Sequence, residues 1–167
     1  MEVGLSFGSN LGDRLTNLSA ARQRVLAVPG VHLLAASPVY ETEPVGVQPE
    51  YQRLAFLNAV LIVASAATPA AWRTATAQIE AELGRVRTTD RFAPRVIDLD
   101  ILFAGHEVLD EGGLVIPHPR WAQRRFVLQP LADVRPDLVL PGAAASVRQI
   151  LARLPAGEKV VRFCETW

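Results

Sequence analysis

The chain has 167 residues, of which half are hydrophobic and a fifth are charged, so it fits one globular domain with a sizeable core. Its 17 basic and 17 acidic residues cancel to a formal net charge of zero. This argues against a general nucleic-acid-binding protein, because such proteins carry a basic excess. The single cysteine, Cys164, cannot form an intramolecular disulfide and favours a reducing, cytoplasmic setting.

Strand and helix patterns alternate over the first 103 residues of the chain. In chain order, they predict a strand at 3–7, a helix with apolar residues from 15 to 26, strands at 31–40 and 54–63, a helix opening at 69, and a strand at 97–103. Thr68 and Pro69 suit the N-cap and first turn of the second helix, and Gly84 suits its C-terminal cap. This β-α-β-β-α-β order is the ferredoxin-like arrangement. We therefore predict an α+β fold with a largely antiparallel sheet and helices packed on it.

Shorter elements are predicted in the rest of the chain. They are a hairpin connection at 105–113 into a strand at 114–116, a helix at 146–154 and a strand at 160–163. We expect residues 1–167 to form a single domain and a monomer. No membrane segment is expected, because polar residues and Pro69 interrupt the uncharged stretch 54–72.

The strand at 97–103 carries the strongest chemical signal in the sequence. Apolar residues alternate with Asp98 and Asp100, so the two carboxylates lie on one face of the strand, roughly 7 Å apart. Two anions together on an apolar strand need a cation, and four arginines precede them: Arg85, Arg87, Arg91 and Arg95. Arginines bind phosphate oxygens bidentately, and magnesium binds carboxylates. The pattern indicates a magnesium–phosphate site. The alternative is a half-exposed strand with a solvated acidic face and a basic loop.

Three further residues are candidates for ligand contacts. Phe56 and Asn58 share a strand face, where an aromatic ring and an amide could stack on a flat heterocycle and hydrogen-bond to it. Core packing is an equally natural interpretation of Phe56. His118 lies near Arg120 and Arg124 and is a candidate phosphate contact, although a lone histidine in a loop is usually only solvated.

The turn Gly8-Ser9-Asn10-Leu11-Gly12 lies between a strand and a helix, as a phosphate-binding loop does. It lacks the Gly-Lys-Ser/Thr ending of that motif, and the only lysine of the chain is Lys159, so a P-loop nucleoside triphosphatase is excluded. We interpret the segment as a tight turn in which Asn10 or Asp13 caps the following helix.

Four separated blocks of sequence resemble one enzyme family. Residues 91–102 read as a basic residue, any residue, a small residue, Pro-Arg, two further residues, Asp-Leu-Asp and two aliphatic residues. The other blocks, in order, are Ser37-Pro38-Val39-Tyr40-Glu41-Thr42, Phe56-Leu57-Asn58-Ala59-Val60 and Ile116-Pro117-His118-Pro119-Arg120. Together they resemble the 6-hydroxymethyl-7,8-dihydropterin pyrophosphokinase family over most of the chain.

The resemblance implies that pyrophosphate is transferred from ATP to the hydroxymethyl oxygen of 6-hydroxymethyl-7,8-dihydropterin, with release of AMP, in folate biosynthesis. It implies two bound Mg²⁺ ions, with Asp98 and Asp100 as ligands, and it gives Arg85 and Arg95 a catalytic role on the phosphates. The positions that match ATP contacts are Glu80, Arg87, Phe92, Arg95, Ile101, His118 and Arg124. The positions that match pterin contacts are Thr42, Pro44, Val45, Gly46, Phe56, Asn58 and Phe126.

Two other functions remain as alternatives. A ferredoxin-like module could bind single-stranded nucleic acid through sheet aromatics, but the zero net charge and the lack of an RNA-binding consensus string argue against it. Another metal-dependent nucleotide transferase could use the Asp98 and Asp100 pair, but it would not need the combination of Phe56, Asn58 and Phe126.

Overall fold

The computed structural model describes residues 1–44, 49–86, 90 and 93–167, which form the secondary structure of an α+β fold. In chain order the elements are β1 (Glu2–Ser9), α1 (Arg14–Leu26), β2 (His32–Ala36), β3 (Val39–Thr42), β4 (Phe56–Ala64), α2 (Pro69–Glu82), β5 (Asp98–Ala104), β6 (Leu109–Glu111), β7 (Leu114–Ile116), α3 (Arg125–Val134), α4 (Val147–Arg153) and β8 (Val160–Cys164). The predicted fold class and its β-α-β-β-α-β core are confirmed. No helix in the described ranges combines the length and apolar character needed to cross a membrane.

The main sheet is antiparallel at every described pairing. Its strands follow the order β5-β1-β4-β3-β8, and β2 also pairs with β4, while β6 and β7 form a separate hairpin. The interior strand β1 aligns Gly8 with Asn58 of β4 on one side and with Asp98 of β5 on the other. The sheet therefore places the predicted amide and the first predicted carboxylate on either side of Gly8.

The prediction of one strand over 31–40 was wrong, because the chain breaks at Ser37 and Pro38 into β2 and β3. Pro38 has no backbone N–H to donate to a neighbouring strand. At the break, the Ser37 hydroxyl accepts a hydrogen bond from the Val60 N–H at 2.9 Å, and the Ser37 N–H donates to the Val60 carbonyl at 2.9 Å. The displaced β3 pairs with the start of β4, which brings Thr42 next to Phe56.

Helix α3 was not predicted from the sequence, because Pro130 lies inside it and proline usually ends or kinks a helix. Burial against the sheet opposes this effect. The side chains of Val127, Leu128 and Leu131 are at most 2% exposed. They pack in one apolar cluster with residues of β4 and β5. The first turn of α3 brings Phe126 into reach of the sheet.

The C-terminal end of α2 directs the chain toward Asp98. Thr68 caps the start of the helix and Pro69 is its first residue, as predicted. Gly84 adopts a positive φ of 88° just after the helix, a conformation that glycine adopts without strain. The next N–H, of Arg85, donates back to the carbonyl of Glu80 at 2.9 Å. This cap folds the chain back and points Arg85 at β5.

The two faces of the sheet are covered differently. One face carries Val3, Leu5 and Phe7 and packs on α1 and α2. The opposite face packs on α3 and α4 only where its residues are apolar, around Val60 and Phe103. At its other end, near Gly8, this face borders a cleft.

Candidate active site

A cleft of about 660 Å³ lies over the polar end of the sheet, between the start of α3 and the chain around Arg95. Its lining includes residues from β1, β3, β4 and β5, from the connections after β3 and between α2 and β5, and from the chain after β7: Ser6, Gly8, Thr42, Glu43, Phe56, Asn58, Arg85, Arg95, Asp98, Asp100, Arg120, Gln123, Arg124, Phe126 and Glu158. One side of the cleft combines aromatic rings with an amide, and the other combines carboxylates with arginines.

The amide side of the cleft is built on β3 and β4. Asn58 is only 4% exposed, and its Nδ2 donates to the Thr42 hydroxyl at 2.8 Å, which fixes the orientation of the carboxamide. Phe56, two residues earlier on the same face of β4, also lines the cleft. Phe126 enters the same cavity from the first turn of α3, with the Arg124 guanidinium 5.4 Å from its ring centroid. Two rings and an oriented amide are what a flat, hydrogen-bonding heterocycle requires.

The carboxylate side is built on β5. Asp98 accepts from Arg85 at 2.5 Å and from Arg95 at 2.8 Å. Asp100 lies 3.7 Å from the guanidinium of Arg124. Partial burial, together with the negative charge of Asp98, raises the pKa of Asp100 to about 6. The two aspartates thus repel each other, and their shared side of the strand attracts positive charge.

Glu80 organises the base of this site from α2. It is 3% exposed, it forms a salt bridge with Arg85, and its Oε1 accepts from the Leu99 N–H at 2.8 Å. That N–H faces the outer edge of β5, since β1 occupies the other edge. One buried carboxylate therefore holds both the arginine and the strand that carry the Asp98 ion pair.

His118 lies against the opposite end of the carboxylate pair. Its backbone N–H donates to the Leu102 carbonyl at 2.9 Å, and its ring Nδ1 accepts from the backbone N–H of Arg120 at 3.1 Å. Burial, with Arg124 and Arg120 adding to the effect, lowers the pKa of His118 to about 4. The imidazole is therefore neutral at pH 7, and its Nε2 lies 3.8 Å from Asp100.

Asn10 does not cap α1, because Asp13 does so by accepting from the Thr16 N–H at 3.1 Å. Asn10 is instead buried against Arg95. Its Oδ1 accepts from the Arg95 N–H at 2.8 Å, and its own N–H donates to the Arg95 carbonyl at 3.2 Å. Asn10 thus holds the backbone of Arg95, the arginine that pairs with Asp98, and the sequence did not predict this role.

The structure brings together many of the predicted site residues. Those that line the cleft are Thr42, Phe56, Asn58, Arg85, Arg95, Asp98, Asp100, Arg124 and Phe126. Glu80 and Ile101 point elsewhere, the first to Arg85 and the second into the core beneath the sheet, and His118 and Pro44 lie outside the lining. Their contacts with ATP or pterin stay predictions. Val45, Gly46, Arg87 and Phe92 fall outside the described residues.

Several lining residues of the cleft were not assigned to the site from the sequence, among them Ser6, Gly8, Gln123 and Glu158. From the sequence, Ser6 was interpreted only as part of a core strand and Gly8 as the start of a turn, whereas both lie on β1; Gln123 and Glu158 come from segments to which no function was given. The period-two alternation of β1 was the one available signal. It places Ser6 and Gly8 on the face opposite Leu5 and Phe7.

The donor set at Asp98 and Asp100 suits a hard cation such as magnesium. Both are carboxylates, and each carboxylate has several lone pairs, so Asp98 can accept from two arginines and still coordinate an ion. Among the residues that the structure describes, no three acidic, histidine or cysteine side chains form a complete metal site. Magnesium commonly completes its coordination with substrate phosphates and water. Such a substrate fits a cleft with arginines beside the carboxylates.

Comparison with known proteins decides the family. The model of the 7,8-dihydro-6-hydroxymethylpterin-pyrophosphokinase (HPPK) family matches residues 4–136 of the sequence. The chain belongs to this family. It is therefore an ATP-dependent diphosphotransferase of folate biosynthesis, which confirms the resemblance seen in the sequence.

Individual relatives agree with this family. The pyrophosphokinase of Methylorubrum extorquens is 43% identical over 155 residues, which are 92% of this chain and 94% of that protein. The corresponding enzyme of Bacillus subtilis is 40% identical over 130 residues, which are 78% of this chain and 75% of that enzyme. A folic acid synthesis protein of Pneumocystis carinii is 38% identical, and the match spans 91% of this chain but only 20% of that protein.

Solved structures support the fold. A Plasmodium falciparum HPPK-DHPS structure has a TM-score of 0.69 and 17% identity, covering 91% of this chain and 44% of the other. An HPPK-DHPS structure in complex with substrates has a TM-score of 0.68, with 14% identity over 90% of this chain and 43% of the other. At such low identity the likeness concerns the fold alone.

Proposed function

We propose that the cleft aligns a pterin and ATP so that pyrophosphate passes from one to the other across the floor of the sheet. The pterin ring would lie between Phe56 and Phe126, with the Asn58 amide and the Thr42 hydroxyl at its polar edge. The triphosphate would lie over Asp98 and Asp100. Support comes from the grouping of these side chains in one cavity of about 660 Å³.

The single observation that carries the proposal is the row Asn58–Gly8–Asp98 across three paired strands. Neighbouring strands lie about 4.8 Å apart, so the amide and the carboxylate positions are separated by roughly 10 Å. This distance suits a two-ring heterocycle whose exocyclic hydroxyl must meet a phosphate. Neither a nucleic-acid-binding sheet nor another metal-dependent nucleotide transferase requires an oriented amide at this distance from the carboxylates.

In the reaction, the hydroxymethyl oxygen attacks the β-phosphorus and its hydroxyl hydrogen is released as a proton. The bond from that phosphorus to the bridging α,β oxygen breaks, so that AMP leaves. Negative charge grows on the bridging oxygen and on the β-phosphoryl oxygens. Arg85, Arg95 and Arg124 line the cleft and supply positive charge for these oxygens. Two magnesium ions bound at Asp98 and Asp100 would neutralise phosphate charge and polarise the β-phosphorus.

Other parts of the assignment rest on the family resemblance. ATP contacts at Glu80, Arg87, Phe92, Ile101 and His118, and pterin contacts at Pro44, Val45 and Gly46, remain proposals. We also propose that residues 1–167 act as one monomeric domain in the cytoplasm, without nucleic-acid or membrane partners.

Product analysis tests the proposed function. Incubation with magnesium, ATP and 6-hydroxymethyl-7,8-dihydropterin should produce AMP in equal amount to the pterin consumed, as followed by ³¹P NMR and chromatography. Omitting the pterin is the control and should leave ATP nearly intact. ADP as the main product, or equal hydrolysis without pterin, would overturn the proposal.

A further inference from the structure

Gly8 lies at the centre of the row Asn58–Gly8–Asp98, and the proposed function gives it no role. It lies inside β1, with Asn58 opposite on β4 and Asp98 opposite on β5. Glycine weakens the interior of a strand, because it adds backbone entropy and provides no side chain to pack. Its backbone is not in the left-handed region, so the local conformation does not demand glycine. The reason for a glycine here must be the space above it.

That space is bounded by substrate-site side chains. A Cβ added at Gly8 would lie 3.3 Å from the Asn58 Oδ1, 3.9 Å from the Phe56 ring and 3.9 Å from the Asp98 Cβ. The Asn58 carboxamide cannot easily retreat, since Thr42 accepts its N–H at 2.8 Å. The Cβ of any other residue would therefore project into the cleft between the amide and the carboxylate.

We propose that Gly8 is a specificity-determining residue, whose missing side chain leaves a channel for the one-carbon hydroxymethyl arm of the substrate. This inference rests on the proposed function, because it needs the heterocycle at Asn58 and the phosphates at Asp98. The arm joins the two and must cross the row above Gly8. A residue with a Cβ would occupy the volume of the arm but not that of the ring.

The Gly8→Ala variant provides the test when two ligands are compared by calorimetry. Affinity for 6-hydroxymethyl-7,8-dihydropterin should fall at least about tenfold, whereas affinity for 7,8-dihydropterin, which lacks the arm, should change less than about threefold. Binding of a non-hydrolysable ATP analogue should stay at the parent value. Gly157→Ala is the matched control, because its added Cβ meets nothing within 4 Å.

Each outcome decides between the inference and its rivals. Equal loss for both pterins would mean that residue 8 acts by displacing Asn58, and no loss would mean that the arm takes another path; either result overturns the inference. Failure of the parent protein to bind both pterins would instead overturn the proposed function. If the variant does not fold, the parent complex still decides. A nuclear Overhauser contact between the Gly8 α-protons and the exocyclic methylene of the substrate is expected, and contacts only to ring protons would refute the channel.

Discussion

Two glycines on the same face of β1 show how one sheet surface serves packing at one end and chemistry at the other. At Gly4, an added Cβ would lie 2.2 Å from the ring of Phe103, so the protein itself fills that space. At Gly8, the nearest atom to an added Cβ would be the Asn58 Oδ1 at 3.3 Å, and the position borders the cleft. The first glycine admits a core ring, and the second leaves room outside the core.

The neighbouring strands change character between the same two points. Gly4 lies opposite Ile62 and Phe103, which are buried beneath α3 and α4. Gly8 lies opposite Asn58 and Asp98, which line the cleft. Gly4 and Gly8 are four positions apart on one strand, yet the first lies in a packed surface and the second borders the cleft. Substitutions at the two ends should accordingly affect different measurements.

The largest expected effect is on turnover, for a substitution at the cleft end of the sheet face. Asp100→Asn should lower kcat at least about a hundredfold, because it removes one of the two carboxylates proposed to hold magnesium. Folding should survive, since the change relieves repulsion from Asp98. Asp110→Asn is a matched control on exposed β6 and should leave kcat unchanged. Near-parent turnover of the first variant at moderate magnesium would contradict the assigned site.

At the packed end, Gly4→Ala should reduce the unfolding free energy by about 1–3 kcal/mol, because the Cβ would overlap the Phe103 ring. Urea denaturation measures the loss. The KM values for pterin and ATP should stay within about twofold of the parent's, since the site lies at the other end of the strand. Phe103→Leu should recover part of the loss when combined with Gly4→Ala. A purely additive double variant would show that Gly4 and Phe103 do not share that space.

Asn58→Ala should weaken pterin binding by about 1–3 kcal/mol, because polar groups of the bound heterocycle would lose their partner. Binding of an ATP analogue should barely change in the same calorimetric series. Val60→Ala, two residues along the same face, is the contrasting variant. It should lower stability by about 0.5–3 kcal/mol and leave pterin affinity intact, because Val60 belongs to the buried cluster. Loss of ATP binding in Asn58→Ala, with pterin binding intact, would reverse the two subsites.

Local patterns predicted this division only in part. The alternation around Asp98 and Asp100, the pair Phe56 and Asn58, and the Thr68 cap could all be read from neighbours in sequence, because strand and helix periods place such residues. The role of Gly8 could not, since it depends on which residues face it across β4 and β5. Register is set by the assembled sheet.

Long-range packing explains the remaining misses. Helix α3 contains Pro130, and apolar packing against β4, β5 and α4 stabilises it in spite of that residue. The strand break at Pro38 depends on the Ser37 hydroxyl meeting Val60 from another strand. The bonds from Asn10 to Arg95 join residues 85 positions apart. Each feature rests on contacts that no local pattern contains.

The smallest expected effect is on the pH dependence of stability at the catalytic end, where two groups act in opposite directions. The pKa of Asp100 is raised from 3.8 to about 6 by burial and by Asp98, so the folded state binds this proton more tightly. The free energy of unfolding contributed by Asp100 therefore falls as pH rises from about 4 to about 6. The pKa of His118 is lowered from 6.5 to about 4 by burial and by Arg124 and Arg120, so its contribution rises over nearly the same range.

Two variants separate these contributions in protein free of metal and nucleotide. Relative to the parent, Asp100→Asn should gain stability between pH 4.5 and 6.5, and His118→Gln should lose it, as urea unfolding at the two pH values would measure. The Asp100→Asn difference should stay below about 1 kcal/mol, because that side chain is 40% exposed and solvent screens its charge. The His118→Gln difference should be larger, because the His118 side chain is only 15% exposed. Differences of the same sign in both variants would mean that these groups do not oppose each other. Opposite signs would show that Asp100 and His118 offset each other's effect on the free energy of unfolding. The packed end of the sheet face, at Gly4, depends on packing instead and should show no such pH dependence.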